Sequence, residues 1–206
     1  MTPVEINSSA TVSPATPDIS GTNIVWKRGK DIYAYDITKG LPPAVDSWVR
    51  ITNASGSEAY GNPRVSGDKV VYNGTSSVYL ADLSSWGTGY TDPRSTSSTT
   101  NRKDNGTLYV NQSIAAGTSP DISGRYMVWN NSQSVKLRAI DQSESDITLS
   151  TSSGGAIWNL AVQGDKVVWS EHLSGSWYIK MYSLAEDGDN DGIPNHLETS
   201  VGSPVS

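Results

Sequence analysis

The sequence predicts an all-β fold: a β-propeller of four four-stranded antiparallel blades, the last blade closed by a strand from the N-terminus. Three observations lead there. A phrase of the form Pro-x-Ile/Val-Ser-Gly stands at Pro17–Gly21, Pro63–Gly67 and Pro120–Gly124, and in worn form at Leu160–Gly164. An aromatic residue follows each glycine by five positions, as Trp26, Tyr72, Trp129 and Trp169. The copies recur at intervals of roughly 40 to 57 residues and are rich in short alternating runs, which marks a radial or solenoidal array of strand units.

In the first unit, Asp18–Gly21 reads as a short strand ending in a glycine turn, and Asn23–Trp26 as a second strand dense in β-branched and aromatic residues. Lys27–Lys30 is a polar hairpin. Asp31–Ile37 then alternates, with Ile32, Ala34 and Asp36 on one face and Tyr33, Tyr35 and Ile37 on the other. Val49–Thr52 supplies the fourth strand. The second unit offers Ser77–Leu83 and, after a low-complexity insertion over 85–106, Thr107–Val110. The third offers Val135–Ile140 and Asp146–Leu149. In the fourth, Asn159 reads in place of proline and Gln163 in place of serine, Trp177–Leu184 is the third strand, and no fourth strand follows.

Val4–Asn7 precedes the first proline by about the loop length that follows the other fourth strands. It is expected to complete the last blade, because closure removes exposed strand edges. The competing reading makes it the end of a blade in a longer chain. The propeller is expected over 1–184, followed by an acidic tail over 185–206.

Phenylalanine is absent, so Trp and Tyr supply the aromatic volume. Each buried aromatic hides on the order of 150–250 Å². Four of them at one recurring position define a core layer rather than a platform for ligands. Aromatics outside the pattern, Trp48, Tyr60, Trp86, Tyr90, Trp158 and Trp177, fall in or near connections and are the candidate ligand contacts.

The formal net charge is -6, with Lys and Arg scattered rather than clustered, which excludes a nucleic-acid partner. No apolar run approaches the ~20 residues of a membrane span, so no membrane insertion is expected. Cysteine is absent. Asn-x-Ser/Thr sequons at Asn7, Asn53, Asn73, Asn105, Asn111 and Asn130 lean toward the cell exterior.

One segment carries chemistry. Asp187-Gly188-Asp189-Asn190-Asp191-Gly192 leads, five residues on, to Glu198. Ca²⁺ takes six to eight oxygens at about 2.3–2.6 Å, and carboxylates at alternate positions of a tight loop converge on one point. Asp187, Asp189, Asp191, the Ile193 carbonyl, Asn195 and Glu198 form the expected ligand set, with Gly192 at the sharp turn. No nucleophile, base and orienting acid occur at catalytic spacing. Glu171, Asp165 and His172 are read as turn residues of the fourth unit.

The repeated unit resembles the TolB/WD40-like β-propeller repeats, especially those of cell-surface and surface-layer proteins of methanogenic archaea and some bacteria. That resemblance spans about residues 4–184. The tail resembles the calcium repeats of thrombospondin type 3, with Asn195 where those carry Asp, which removes one negative charge. Together they imply a non-enzymatic, extracellular or cell-surface module that recognises protein or polysaccharide of the cell envelope, with Ca²⁺ bound in the tail. A structural spacer of a surface layer, or a polysaccharide hydrolase or lyase on a propeller scaffold, are the alternatives.

Overall fold

The computed structural model describes residues 4, 6, 14–40, 48–52, 54, 56–84, 112–140, 146–152 and 155–184. They form the antiparallel sheets of a four-bladed β-propeller, following one another along the chain. The first holds β1 (Pro14–Ser20), β2 (Asn23–Arg28), β3 (Asp31–Asp36) and β4 (Val49–Arg50). The second holds β5 (Gly61–Ser66), β6 (Lys69–Asn73), β7 (Ser77–Asp82) and β8 (Gln112–Ala116). The third holds β9 (Thr118–Ser123), β10 (Tyr126–Asn131), β11 (Ser134–Ala139) and β12 (Ile147–Thr151). The fourth holds β13 (Ala156–Gln163), β14 (Lys166–Leu173) and β15 (Ser176–Ser183). Two compact units result, Met1–Pro120 and Asp121–Ser206, divided within β9.

Within the first unit the alternation of β3 is realised as expected. Ile32 and Ala34 join Val25, Val49 and Ile51 against Val65, Val70 and Tyr72 of the second sheet. Tyr33 and Tyr35 turn the other way and pack with Trp26, Ile24, Ile37 and Trp48. In the second unit Val128, Val135 and Leu137 meet Val162, Val167 and Trp169 in the same manner. All four repeated aromatics are buried.

The recurring Pro-Asp-Ile-Ser-Gly phrase works as a brace between neighbouring sheets. Asp18 Oδ2 accepts a hydrogen bond from the Val65 amide at 2.8 Å, and Ser20 Oγ accepts one from the Gly67 amide at 3.0 Å. The second unit repeats this with Asp121 to Val162 at 2.7 Å and Ser123 to Gly164 at 2.9 Å. The proline of the phrase sits where the β1–β2 pairing slips, between Ala15 and Asp18, and the β5–β6 pairing slips likewise between Gly61 and Arg64. At such a bulge a missing N–H costs no ladder bond. The residue just before it is left-handed in every copy: φ is 47° at Thr16, 48° at Asn62, 52° at Ser119 and 51° at Asn159. Asn159 therefore corresponds to Thr16, and Leu160 rather than Asn159 stands in for the proline.

One expected strand differs, and a second lies partly outside the described residues. The fourth strand of the second sheet is β8, which pairs with β7 from Leu80↔Gln112 to Ser77↔Ala116. The expected segment 107–110 lies outside the described residues. The fourth sheet has three strands among the described residues. Val4 and Ile6 of the expected closing strand belong to no strand, while residues 5 and 7 lie outside the description. Ile6 packs on the Trp26–Tyr33–Tyr35 face of the first sheet, much as Ile51 packs with Tyr72 of the second. No described helix is long and apolar enough to cross a membrane. The acidic tail over 185–206 lies outside the described residues.

Candidate functional site

The fourth hairpin is longer than its counterparts, and the excess carries aromatic side chains. From the repeated aromatic to its cross-strand partner the chain advances seven residues in three copies, Trp26 to Tyr33, Tyr72 to Tyr79 and Trp129 to Lys136. From Trp169 to Lys180 it advances eleven. β14 and β15 accordingly run eight residues each and close on Ser174 and Gly175, with φ of 51° and 81°. Two successive positive φ values match the right-handed twist of the flanking strands, so the extension stays paired to its tip.

On this extension His172 pairs with Trp177, and β13 brings Trp158 alongside. The Trp158 and Trp177 rings lie 5.0 Å apart at 36°, and His172 lies 4.9 Å from Trp177 at 41°. Trp158 is 44% and Trp177 64% exposed, so the rings present their area to solvent while touching one another. Ser170 fixes the base of the cluster, because its hydroxyl donates to the Trp158 carbonyl at 3.0 Å and accepts from Asn159 Nδ2 at 3.3 Å.

Below the rings Glu171 is buried rather than in a turn, contrary to expectation, because the longer hairpin draws it into β14. Lys180 Nζ lies 2.6 Å from its Oε2. The bond from Lys180 holds the Glu171 carboxyl below the usual range against the opposing effect of burial, with the Ser152 hydroxyl adding to it. Gly155 completes the floor, since a Cβ there would meet the His172 carbonyl oxygen and Ser152 Oγ at 2.3 Å.

A carboxyl depressed in the folded state stabilises the fold above its unfolded-state value and loses that contribution as pH falls through the folded one. The thermal midpoint is therefore expected to drop on acidification below about pH 4, and Glu171→Gln to flatten that acid limb. Lys180→Ala, which strands the buried carboxylate, is expected to cost about 1–3 kcal/mol at neutral pH, read from urea unfolding.

The other expected contacts separate. Trp48 packs edge-on against Tyr33 at 5.1 Å and under the Arg28 guanidinium at 5.2 Å, as part of the first sheet's aromatic face. Tyr60 stands edge-on to the stacked Tyr72 and Tyr79, each 5.6 Å away, and lines a cavity of ≈ 170 Å³ with Glu58, Gly74, Thr75 and Tyr79. Trp86, Tyr90 and the calcium-ligand set Asp187, Asp189, Asp191, Ile193, Asn195 and Glu198 lie outside the described residues. No group of three His, Cys, Asp or Glu gathers as a metal site among the described residues. Sequence reasoning missed His172 as a neighbour of the exposed tryptophans. The change of spacing from seven to eleven was the signal that could have found it.

No protein-family model matches the chain, and no curated protein matches it in sequence. Among solved structures it is similar to a chain of the mitotic checkpoint complex, at 12% identity and a TM-score of 0.54, over 95% of this chain and 57% of that one. It is also similar to a chain of the yeast heterotrimeric Nup82-Nup159-Nup116 nucleoporin complex, at 12% identity and a TM-score of 0.50, over 87% of this chain and 44% of that one. The chain thus spans about half the length of the structures it resembles. These are WD40-like propellers, and the likeness is one of fold.

Proposed function

We propose that this WD40-like propeller is a non-enzymatic recognition module that binds a protein partner through the extended hairpin of the fourth sheet. One observation carries the reading: Trp158, Trp177 and His172 form an exposed aromatic cluster on an extension that the other hairpins lack. Large rigid aromatics at a solvent-facing site gain contact area at little entropic cost, which is why they anchor interfaces. The similar solved structures come from protein complexes, a checkpoint complex and a nucleoporin complex, which supports a protein partner. We assign the module to the cell exterior from its sequons and its surface-layer-like repeat, with a partner in the cell envelope. We assign Ca²⁺ to the tail loop, held by Asp187, Asp189, Asp191, the Ile193 carbonyl, Asn195 and Glu198.

The test is a pull-down of cell-envelope proteins and polysaccharides with the purified chain, in calcium and in chelator, beside Trp158→Ala/Trp177→Ala. The expected result is a protein retained by the wild type and lost by the double variant, at an unchanged thermal midpoint. Retention of a polysaccharide alone would move the ligand class to glycans stacked on the two indoles. Equal binding by the double variant would remove the hairpin from the interface. Retention unaffected by chelator would separate recognition from the calcium tail.

A further inference from the structure

The first and second sheets carry the same arrangement of three aromatic rings and differ in what stands beside it. In the first, Trp26 and Tyr33 are a stacked cross-strand pair, 6.0 Å apart at 20°, and Trp48 stands edge-on to Tyr33 at 74°. In the second, Tyr72 and Tyr79 are the stacked pair, 5.4 Å apart at 6°, and Tyr60 stands edge-on to Tyr79 at 84°. The third ring enters from a different part of the chain in each case, as Trp48 just before β4 and as Tyr60 just before β5.

Two residues beyond the repeated aromatic, and so on the same face as its ring, the first sheet has Arg28 and the second has Gly74. The Arg28 guanidinium lies 5.2 Å from the centre of the Trp48 ring and 6.0 Å from that of Tyr33. A Cβ on Gly74 would meet the Tyr79 ring at 2.8 Å and the Tyr60 ring at 3.6 Å, so position 74 is aimed at the corresponding two rings. The cavity of ≈ 170 Å³ is lined by those same residues, Tyr60, Tyr79 and Gly74, together with Glu58. It therefore takes, beside the second trio, the place that the guanidinium takes beside the first. All of these residues belong to the Met1–Pro120 unit.

We infer that this cavity is a second recognition site, which takes the guanidinium of an arginine side chain on a protein partner, seated against Tyr60 and Tyr79 with the Glu58 carboxylate as its counter-charge. Aromatic rings attract a cation held within about 6 Å of their centres, and a planar guanidinium can stack on a ring while it donates to a carboxylate. The chain performs the same chemistry internally at Arg28, Trp48 and Tyr33. At the second trio glycine leaves that position to be filled from outside. The site lies on a different sheet from the fourth-sheet hairpin and does not depend on what that hairpin binds.

The test is a titration of the purified chain with N-acetyl-arginine amide, beside N-acetyl-citrulline amide, which has nearly the same shape without the charge. The ring resonances of Tyr60 and Tyr79 are followed by NMR. Both are expected to shift saturably with the arginine probe and to ignore the citrulline one. Glu58→Gln should weaken the binding about two- to fivefold. Gly74→Ala, which pushes a methyl group into the two rings, should abolish it. Arg28→Ala is the converse, because it vacates the first trio, and Trp48 should then respond to the arginine probe as well. Equal binding of the citrulline probe, or a response that spares Tyr60 and Tyr79, would overturn the inference. So would a Trp48 that stays silent in the Arg28→Ala chain, since the two trios would then not be equivalent. Trp158→Ala/Trp177→Ala should leave the titration unchanged, so this site and the hairpin stand or fall separately.

Discussion

Trp129→Ala is expected to lower the stability of the chain by about 3–5 kcal/mol, the usual cost of removing a large buried aromatic. Trp129 is fully buried in β10, with the Arg138 guanidinium 5.8 Å from its ring and Arg138 itself paired to Asp146. Truncation leaves a void beneath that ion pair and removes one of the four repeated aromatics of the core. Since a domain holds only about 5–15 kcal/mol in total, the loss should move the urea midpoint far to the left at a similar slope. Trp158→Ala is the internal comparison: an equal truncation at an exposed ring, expected to leave the midpoint where it was. Equal shifts for the two would mean that the recurring position is not the core layer.

Asp121→Ala is the second large effect, expected to cost about 1–3 kcal/mol because it leaves the part-buried Val162 amide without its acceptor. The consequence should be local. Amide exchange at Val162 and along β13 should accelerate, while the β2–β3 ladder of the first unit keeps its protection. Asp121→Asn retains an acceptor oxygen and should lose less. Asp18→Ala repeats the experiment in the first unit, with the Val65 amide as the reporter.

Much of the fold was legible because its signals are local and periodic. Alternation in Asp31–Asp36 and the aromatic five residues beyond each glycine gave the sheets and the core layer directly. The fourth strand of the second sheet was not legible, because a polar insertion separates it from β7 and Gln112–Ala116 carries little hydrophobic pattern. The brace was written in the sequence as Asp-x-Ser but could not be read there, since its acceptors act on amides 41 and 47 residues away. At the candidate site, Trp158 and Trp177 were named from their departure from the repeat. Glu171 reads as a turn residue if the fourth hairpin is as short as the others, and its ion pair with Lys180 depends on the added length.

The brace also has a direction. In each unit the earlier sheet gives the carboxylate and the hydroxyl, and the later sheet gives only main-chain amides, which nearly every residue type can supply. The two roles therefore age differently. In the fourth copy the Val162 and Gly164 amides still donate to Asp121 and Ser123 of the sheet before them. The giving positions have become Ala161 and Gln163. The carboxylate is thus the half of the phrase that sequence change reaches first, as Arg64 in the second copy and Ala161 in the fourth show, while the amides that answer it survive any substitution but proline.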